Sequence, residues 1–201
     1  MPVRNKILDA ALRVFAEMGY RGATTRRIAQ EADVNEVTLF RQFGSKDELI
    51  RAAVKYAALE EDACRLPDVP IDAYKELTDW AREHLRRLRQ RGPVIRTCLG
   101  ESEEHPEISE RASEGPMRVG TELRRYLSAL REQGGASTAA DVDVAASMLM
   151  SVLFTDAISR DLMPRLYRYD VEEAPARYVQ FVLQALGVLP HVAPQLTEGV
   201  K

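Results

Sequence analysis

Residues 23–49, ATTRRIAQEADVNEVTLFRQFGSKDEL, hold two short amphipathic segments on either side of a break at Asp33, and a third begins at SKDEL. Helices this short are marginal alone in water, so they must be held by each other and by a neighbour. Thr24 or Thr25 is a capable N-cap for the first, which runs to Ala32. Asn35 starts the second, which runs to about Phe43. Ser45 and Glu48 have capping-box spacing at the head of the third, which runs to about Cys64. Asp33 falls where a sharp turn wants a positive φ, and Asp tolerates that better than most non-glycine residues. Ile28, Ala29, Leu39 and Phe43 face inward and Val34 plugs the turn. Ala29 is small enough to let the second helix cross closely.

The rest of the chain also reads as helix. Ile7, Leu8, Ala11, Leu12, Phe15 and Met18 recur at three- and four-residue steps, and Gly19 stops that segment. Pro67 and Pro70 break the chain before a long amphipathic helix over about 71–91. RGP at 91–93 precedes a short helix over 94–104. Pro106 and then Gly115-Pro116 punctuate the next stretch, after which a helix runs to Gln133. Helices are expected over 141–163 and 174–187, with a loose tail from Pro190. No segment alternates with period two. The expectation is an all-α protein: a three-helix head (1–47), a larger helical body (48–187) and a tail (188–201).

Composition narrows the class. Hydrophobic residues make up 45% and charged residues 29%, ordinary values for a soluble domain, and no 18 apolar residues run uninterrupted. Asp9 and Arg13 interrupt the first segment, which makes it an amphipathic helix and not a signal peptide. Cys64 and Cys98 lie far apart, which favours a reduced, cytoplasmic setting. His84, His105 and His191 form no ligand pair, and GESEEH at 100–105 reads as a solvated loop, so no metal or other cofactor is expected. Phosphate-loop, serine-elbow and zinc-protease motifs are missing, so no enzymatic activity is expected.

The opening stretch leaves the first turn of its second helix open to a partner, with Glu36, Val37 and Thr38 on it. A helix that enters the major groove by its N-terminal turn reads base edges with such side chains. Arg26 and Arg27 can reach guanine edges or phosphates, and Gln42 and Lys46 suit phosphate oxygens. The candidate set for contact with double-stranded DNA is Thr25, Arg26, Arg27, Glu36, Val37, Thr38, Phe40, Arg41, Gln42 and Lys46. Glu36 reads better as a neutral or repelling element than as a cytosine reader. Net charge is +1 over residues 1–50 and −4 over the remainder, so affinity must come from a few placed cations and not from bulk charge.

TTRRIAQEADVNEVTLFRQFGSKDEL, with ILDAALRVFAEMGY before it, resembles the N-terminal domain of the TetR-type transcriptional regulators. The family pattern is roughly T-x-x-x-I-A-x-x-A-G-V-S-x-G-T-L-Y-x-H-F-x-S-K-x-x-L, and the match covers residues 5–50. Asp33 departs from the turn glycine, Asn35 from the capping serine and Val37 from a glycine. Phe40 stands for a tyrosine and so lacks its phosphate-binding hydroxyl, while Gln42 stands for a histidine or tyrosine.

The resemblance implies a ligand-responsive regulator, a repressor by expectation, that binds a palindromic operator as a homodimer, with no membrane partner. VAASMLMSVLF (144–154) is apolar almost all round and should be buried on both sides. ARYVQFVLQAL (176–186) has a wide apolar face, and such surfaces point to another subunit. The expected dimer residues are Met150, Leu153, Ala157, Tyr178, Phe181, Val182 and Ala185. For a small, largely apolar effector the candidates are Tyr74, Leu77, Trp80, His84, Cys98, Met117, Tyr126, Met148 and Phe154. These are core residues by default, and the resemblance raises some of them to pocket lining. The competing readings are a small-molecule-binding or enzymatic helical protein with a vestigial head, and a DNA-architectural protein without an effector.

Overall fold

The structure is a computed structural model that describes residues 2–59 and 65–188. Cys64, His191 and all but the first residue of the expected tail lie outside that range. Among the described residues the regular elements are all helical: α1 (Val3–Gly22), α2 (Thr25–Glu31), α3 (Glu36–Phe43), α4 (Lys46–Leu59), α5 (Ala73–Gln90), α6 (Gly92–Gly100), α7 (Pro106–Glu132), α8 (Val142–Ser159) and α9 (Ala174–Ala185), with a 3₁₀ turn at Pro164–Leu166.

The short helices start where their caps stand. The Thr24 hydroxyl accepts from Arg27 N at 3.3 Å, Asn35 Oδ1 from Val37 N at 2.9 Å, and the Ser45 hydroxyl from Glu48 N at 3.1 Å. Asp33 holds φ at 52°, the left-handed turn expected of it. Gly19, at φ 67°, interrupts α1, and one further turn follows it.

Two readings of the sequence need correction. Gly115-Pro116 does not divide the chain, since α7 runs through it for 27 residues. The proline costs one backbone hydrogen bond, but α4 and α8 pack along this helix and outweigh that loss. At the other end, α8 stops at Ser159, not 163. There Arg160 turns back onto Asp156 with two hydrogen bonds, its Nη1 donates to Tyr169 O at 2.8 Å, and its guanidinium lies 4.2 Å from the Tyr167 ring centroid.

Two apolar clusters organise the chain. One joins Ile7, Leu8 and Phe15 of α1 to Ile28, Leu39 and Phe43, and extends to Leu49, Ile50 and Val54 of α4 and to Cys98 and Ile108. The other lies among α5, α7, α8 and α9, around Leu77, Trp80, Leu123, Tyr126, Leu149, Leu153 and Val179. α4 therefore packs on the head with one side and on α7 with the other. By length and composition α8 is apolar enough to cross a bilayer. It instead packs on α5, α7 and α9 and holds the buried Asp156–Arg160 pair.

Candidate nucleic-acid interface and internal cavity

The outer face of α3 is unusual for a helix of eight residues. Leu39 and Phe43 anchor it in the head, while Val37 is 71% and Phe40 45% exposed. Arg41 and Gln42 are exposed beside them, as are Arg26 and Arg27 on α2, and Thr38 is half-buried. Water is a poor neighbour for such apolar side chains; thymine methyl groups and deoxyribose are good ones. The Asn35 cap fixes the first turn of α3 while leaving its outward side open.

Two candidates are already engaged within the protein. The Thr25 hydroxyl donates to Glu36 Oε1, which ties α2 to α3 and occupies both groups. Lys46 Nζ lies 4.2 Å from the centroid of the Tyr20 ring, and burial lowers its pKa. Tyr20 in turn donates its hydroxyl to Asp47 and packs its ring at a tilt against His105, with centroids 3.6 Å apart.

That contact belongs to a clasp, where the sequence GESEEH suggests only a solvated loop. Tyr20 N donates to Glu101 Oε1 at 2.8 Å, and Arg21 pairs with Glu104 at 3.0 Å. The segment following α6 thus grips the end of α1. Gly19 suits this spot because its φ of 67° is one that other residues rarely adopt. Glu101, Glu104 and His105 bring three ligand-capable atoms within 4.8 Å of one another. Glu101 is occupied by Tyr20, Glu104 by Arg21, and His105 Nδ1 lies 3.4 Å from Glu107. The arrangement reads as a head-to-body fastening.

Inside the body, a largely apolar cavity of about 280 Å³ opens among α4, α5, α6, α7 and α8. Val54, Leu88, Ile95, Leu99 and Ala112 supply much of its wall, with Ser109, Ser113 and Arg91 as polar lining. Pro116 also lines it, one turn from Ala112, so the proline nitrogen has no hydrogen to give the Ala112 carbonyl. Of the nine expected effector residues the structure brings two to this wall, Cys98 and Phe154. Burial pushes the Cys98 thiol up to about 11, so it stays protonated and unreactive at neutral pH.

The other seven lie elsewhere. Tyr74, Met117 and Met148 point outward, Met117 being 67% exposed. Leu77, Trp80, His84 and Tyr126 are buried, with Trp80 stacked on His84 and the Tyr126 hydroxyl donated to Glu76. The face of α5 that carries Leu77, Trp80 and His84 packs on α8 and α9, and the cavity meets only the end of that helix.

The dimer candidates divide by helix phase. Leu153, Ala157, Tyr178 and Val182 are buried within the protomer, and Tyr178 donates its hydroxyl to Asp156 at 2.6 Å, so none of these four is a surface residue. Met150 is half-buried, Ala185 is exposed, and Phe181 is 60% exposed. The outward stripe of α8 is instead Val144, Met148, Ser151 and Thr155, which leaves one side of the helix uncovered within the protomer.

Comparison with known proteins agrees with this architecture. Residues 7–53 match the model for bacterial regulatory proteins of the tetR family, and residues 75–187 match that for the C-terminal domain of AefR-like transcriptional repressors. The HTH-type transcriptional regulator YvkB of Bacillus subtilis is 30% identical over 79% of this chain and 83% of its own. The HTH-type transcriptional repressor AcnR of Corynebacterium glutamicum is 39% identical over about a third of each chain (33% and 32%). Among solved structures, a TetR-family regulator from Mesorhizobium loti superposes with a TM-score of 0.74 at 21% identity, covering 92% of this chain and 94% of that one.

Proposed function

The chain belongs to the TetR family of bacterial regulatory proteins and is a DNA-binding transcriptional regulator; from that premise we propose that it is a cytoplasmic repressor that grips a palindromic operator as a homodimer and releases it on binding a small effector in the α4–α8 cavity. The observation that carries the reading is the exposed apolar and cationic face of α3, held on a head whose core is otherwise closed.

In this reading residues 1–47 are the head, 48–187 the body, and α4 the strut between them. Val37, Thr38 and Phe40 meet bases and sugars. Arg26, Arg27, Arg41 and Gln42 position the head on the phosphates. The Thr25–Glu36 bond holds the α2–α3 angle instead of touching DNA.

Val144, Met148, Ser151 and Thr155 on α8 and Phe181 and Ala185 on α9 form the face that a second copy covers, giving four helices at the interface. A dimer that reads two half-sites tolerates little change in head separation. An effector lodged against Val54 and Cys98 shifts α4 and α6, and both helices grip the head. A coupling of about 1–3 kcal/mol gives a 5–150-fold change in affinity, and operator DNA must weaken effector binding by the same factor.

The test is a mobility-shift titration of the chain on fragments from beside its own gene. One fragment should be retarded specifically, Val37→Asp should abolish the shift without unfolding the protein, and one small molecule should relieve it. A wild-type protein that retards every fragment equally would support an architectural protein, and one that retards none would support a vestigial head.

A further inference from the structure

The wall of the internal cavity is one-sided in its hydrogen bonding. Ser109, Ala112, Ser113 and Pro116 follow one another at three- and four-residue steps, so they share one face of α7, and all four line the cavity. Ser113 Oγ donates to Glu110 O at 2.7 Å and Ser109 Oγ to Cys98 O at 3.5 Å. A hydroxyl has one hydrogen, so both serines offer the cavity lone pairs alone. On the same face Pro116 leaves the Ala112 carbonyl without the N–H that a helix supplies four residues on. This side of the wall is therefore a row of acceptors, and since Ser113 is exposed the row reaches the cavity mouth. The remaining wall is largely apolar, and Arg91 is engaged within the protein. Among the described residues no carboxylate lines the cavity.

We propose that the effector is a neutral, hydroxyl-bearing amphiphile, an alcohol or a phenol, which gives its O–H to the α7 acceptors and lays its apolar body against Leu88, Ile95 and Phe154. The proposal rests on the cavity being the effector site and adds the ligand's chemical class. A carboxylate only accepts, so it would set its lone pairs against those of the serines and the Ala112 carbonyl. An ether or ester finds no donor on α7 to replace the water it gives up. An ammonium group can donate, but no carboxylate on the wall pairs with it, and burying an unpaired charge is costly. A neutral hydroxyl escapes all three penalties and supplies the bond that Pro116 denies to α7. At about 30 Å³ for each water-sized group, the cavity of about 280 Å³ holds roughly nine such groups, the size of octan-1-ol. Since α7 packs along α4, a ligand that braces α7 at this point acts on the strut to the head.

Calorimetric titration of the full-length protein with octan-1-ol, 1-methoxyheptane, octanoate and octylammonium, each below its aggregation limit, tests this. Octan-1-ol should bind about tenfold more tightly than the ether of equal size, and more tightly than either ion. Ser109→Ala with Ser113→Ala removes the side-chain acceptors, and Pro116→Ala returns an N–H to the Ala112 carbonyl. Each change should narrow the margin of alcohol over ether, and the triple variant should erase it while ether affinity moves by less than about twofold. Ala112→Phe, which fills the cavity, should weaken every probe that binds. Octan-1-ol binding no tighter than the ether, or a margin that survives the triple variant, would overturn the donor assignment and leave the cavity standing as the effector site. Tightest binding by octanoate or octylammonium would overturn it too. Binding by none of the four, or affinities indifferent to Ala112→Phe, overturns both the assignment and the cavity as the site. If the triple variant does not fold, the wild-type ranking together with Pro116→Ala decides.

Discussion

Asp156 is fully buried, and its carboxylate receives two bonds from the 9%-exposed Arg160 and one from Tyr178. The two charges stand one helical turn apart, a spacing visible in the sequence, but only packing by the 160–173 segment and α9 removes them from water. A buried pair broken on one side leaves the other charge without compensation. Asp156→Ala should therefore cost roughly 3–5 kcal/mol in urea denaturation. A loss below about 1 kcal/mol would mean that Arg160 swings out to solvent. His84 makes a different residue-scale claim. Burial, with Arg87 and Arg91 nearby, lowers its pKa from 6.5 to about 4. The unfolded chain then takes up a proton that the folded chain refuses, so stability is full above about pH 6.5 and falls as pH drops towards 4. Urea midpoints of wild type and His84→Leu should diverge in slope between pH 7 and 5, with the wild type steeper. Parallel slopes would show that His84 takes up its proton as readily in the fold as in the unfolded chain.

At the scale of elements, the caps of α2, α3 and α4 were legible because each is a local bargain between one side chain and one backbone N–H. The continuity of α7 was not legible, because the penalty at Pro116 is local whereas the packing that outweighs it comes from α4 and α8. Pro116→Ala should accordingly stabilise the protein by up to about 3 kcal/mol, seen as a raised Tm. A lowered Tm would mean that the proline shapes α7 for its neighbours. The outward face of α8 was not legible, because the helix is apolar nearly all round and periodicity could not say which residues point outward; the inner face of α5 was legible, but not that α8 and α9 would fill it. The cavity draws on five helices and the clasp on three segments far apart in sequence, so neither leaves a local pattern. For α3 and its surroundings, the salt dependence of DNA binding separates roles. Arg41→Ala should weaken binding to all sequences and lower the log–log salt slope by about 1. Val37→Ala should leave the slope alone and change which bases are preferred. A Val37→Ala protein with unchanged preference would place the reading surface elsewhere.

At the scale of the whole molecule, the proposed repressor must hold two heads at a fixed separation while an effector alters it. In that proposal the outward stripe of α8 together with Phe181 supplies the surface for the first task, and α4 with the Glu101–Tyr20 clasp supplies the lever for the second. Phe181→Glu places a charge in the proposed four-helix interface and should give folded monomers by sedimentation at micromolar concentration. An undiminished dimer would move the interface off α9. The claim on which the rest depends is that α3 reads DNA sequence, in two copies related by a dyad. Selection of bound fragments from random-sequence duplexes addresses it directly, with wild type and a Val37→Asp, Thr38→Ala variant run in parallel. The account predicts that the wild type enriches a palindrome with half-sites spaced by about whole helical turns, and that the variant enriches none. The same palindrome enriched by both proteins, or no sequence enriched by the wild type, would contradict it.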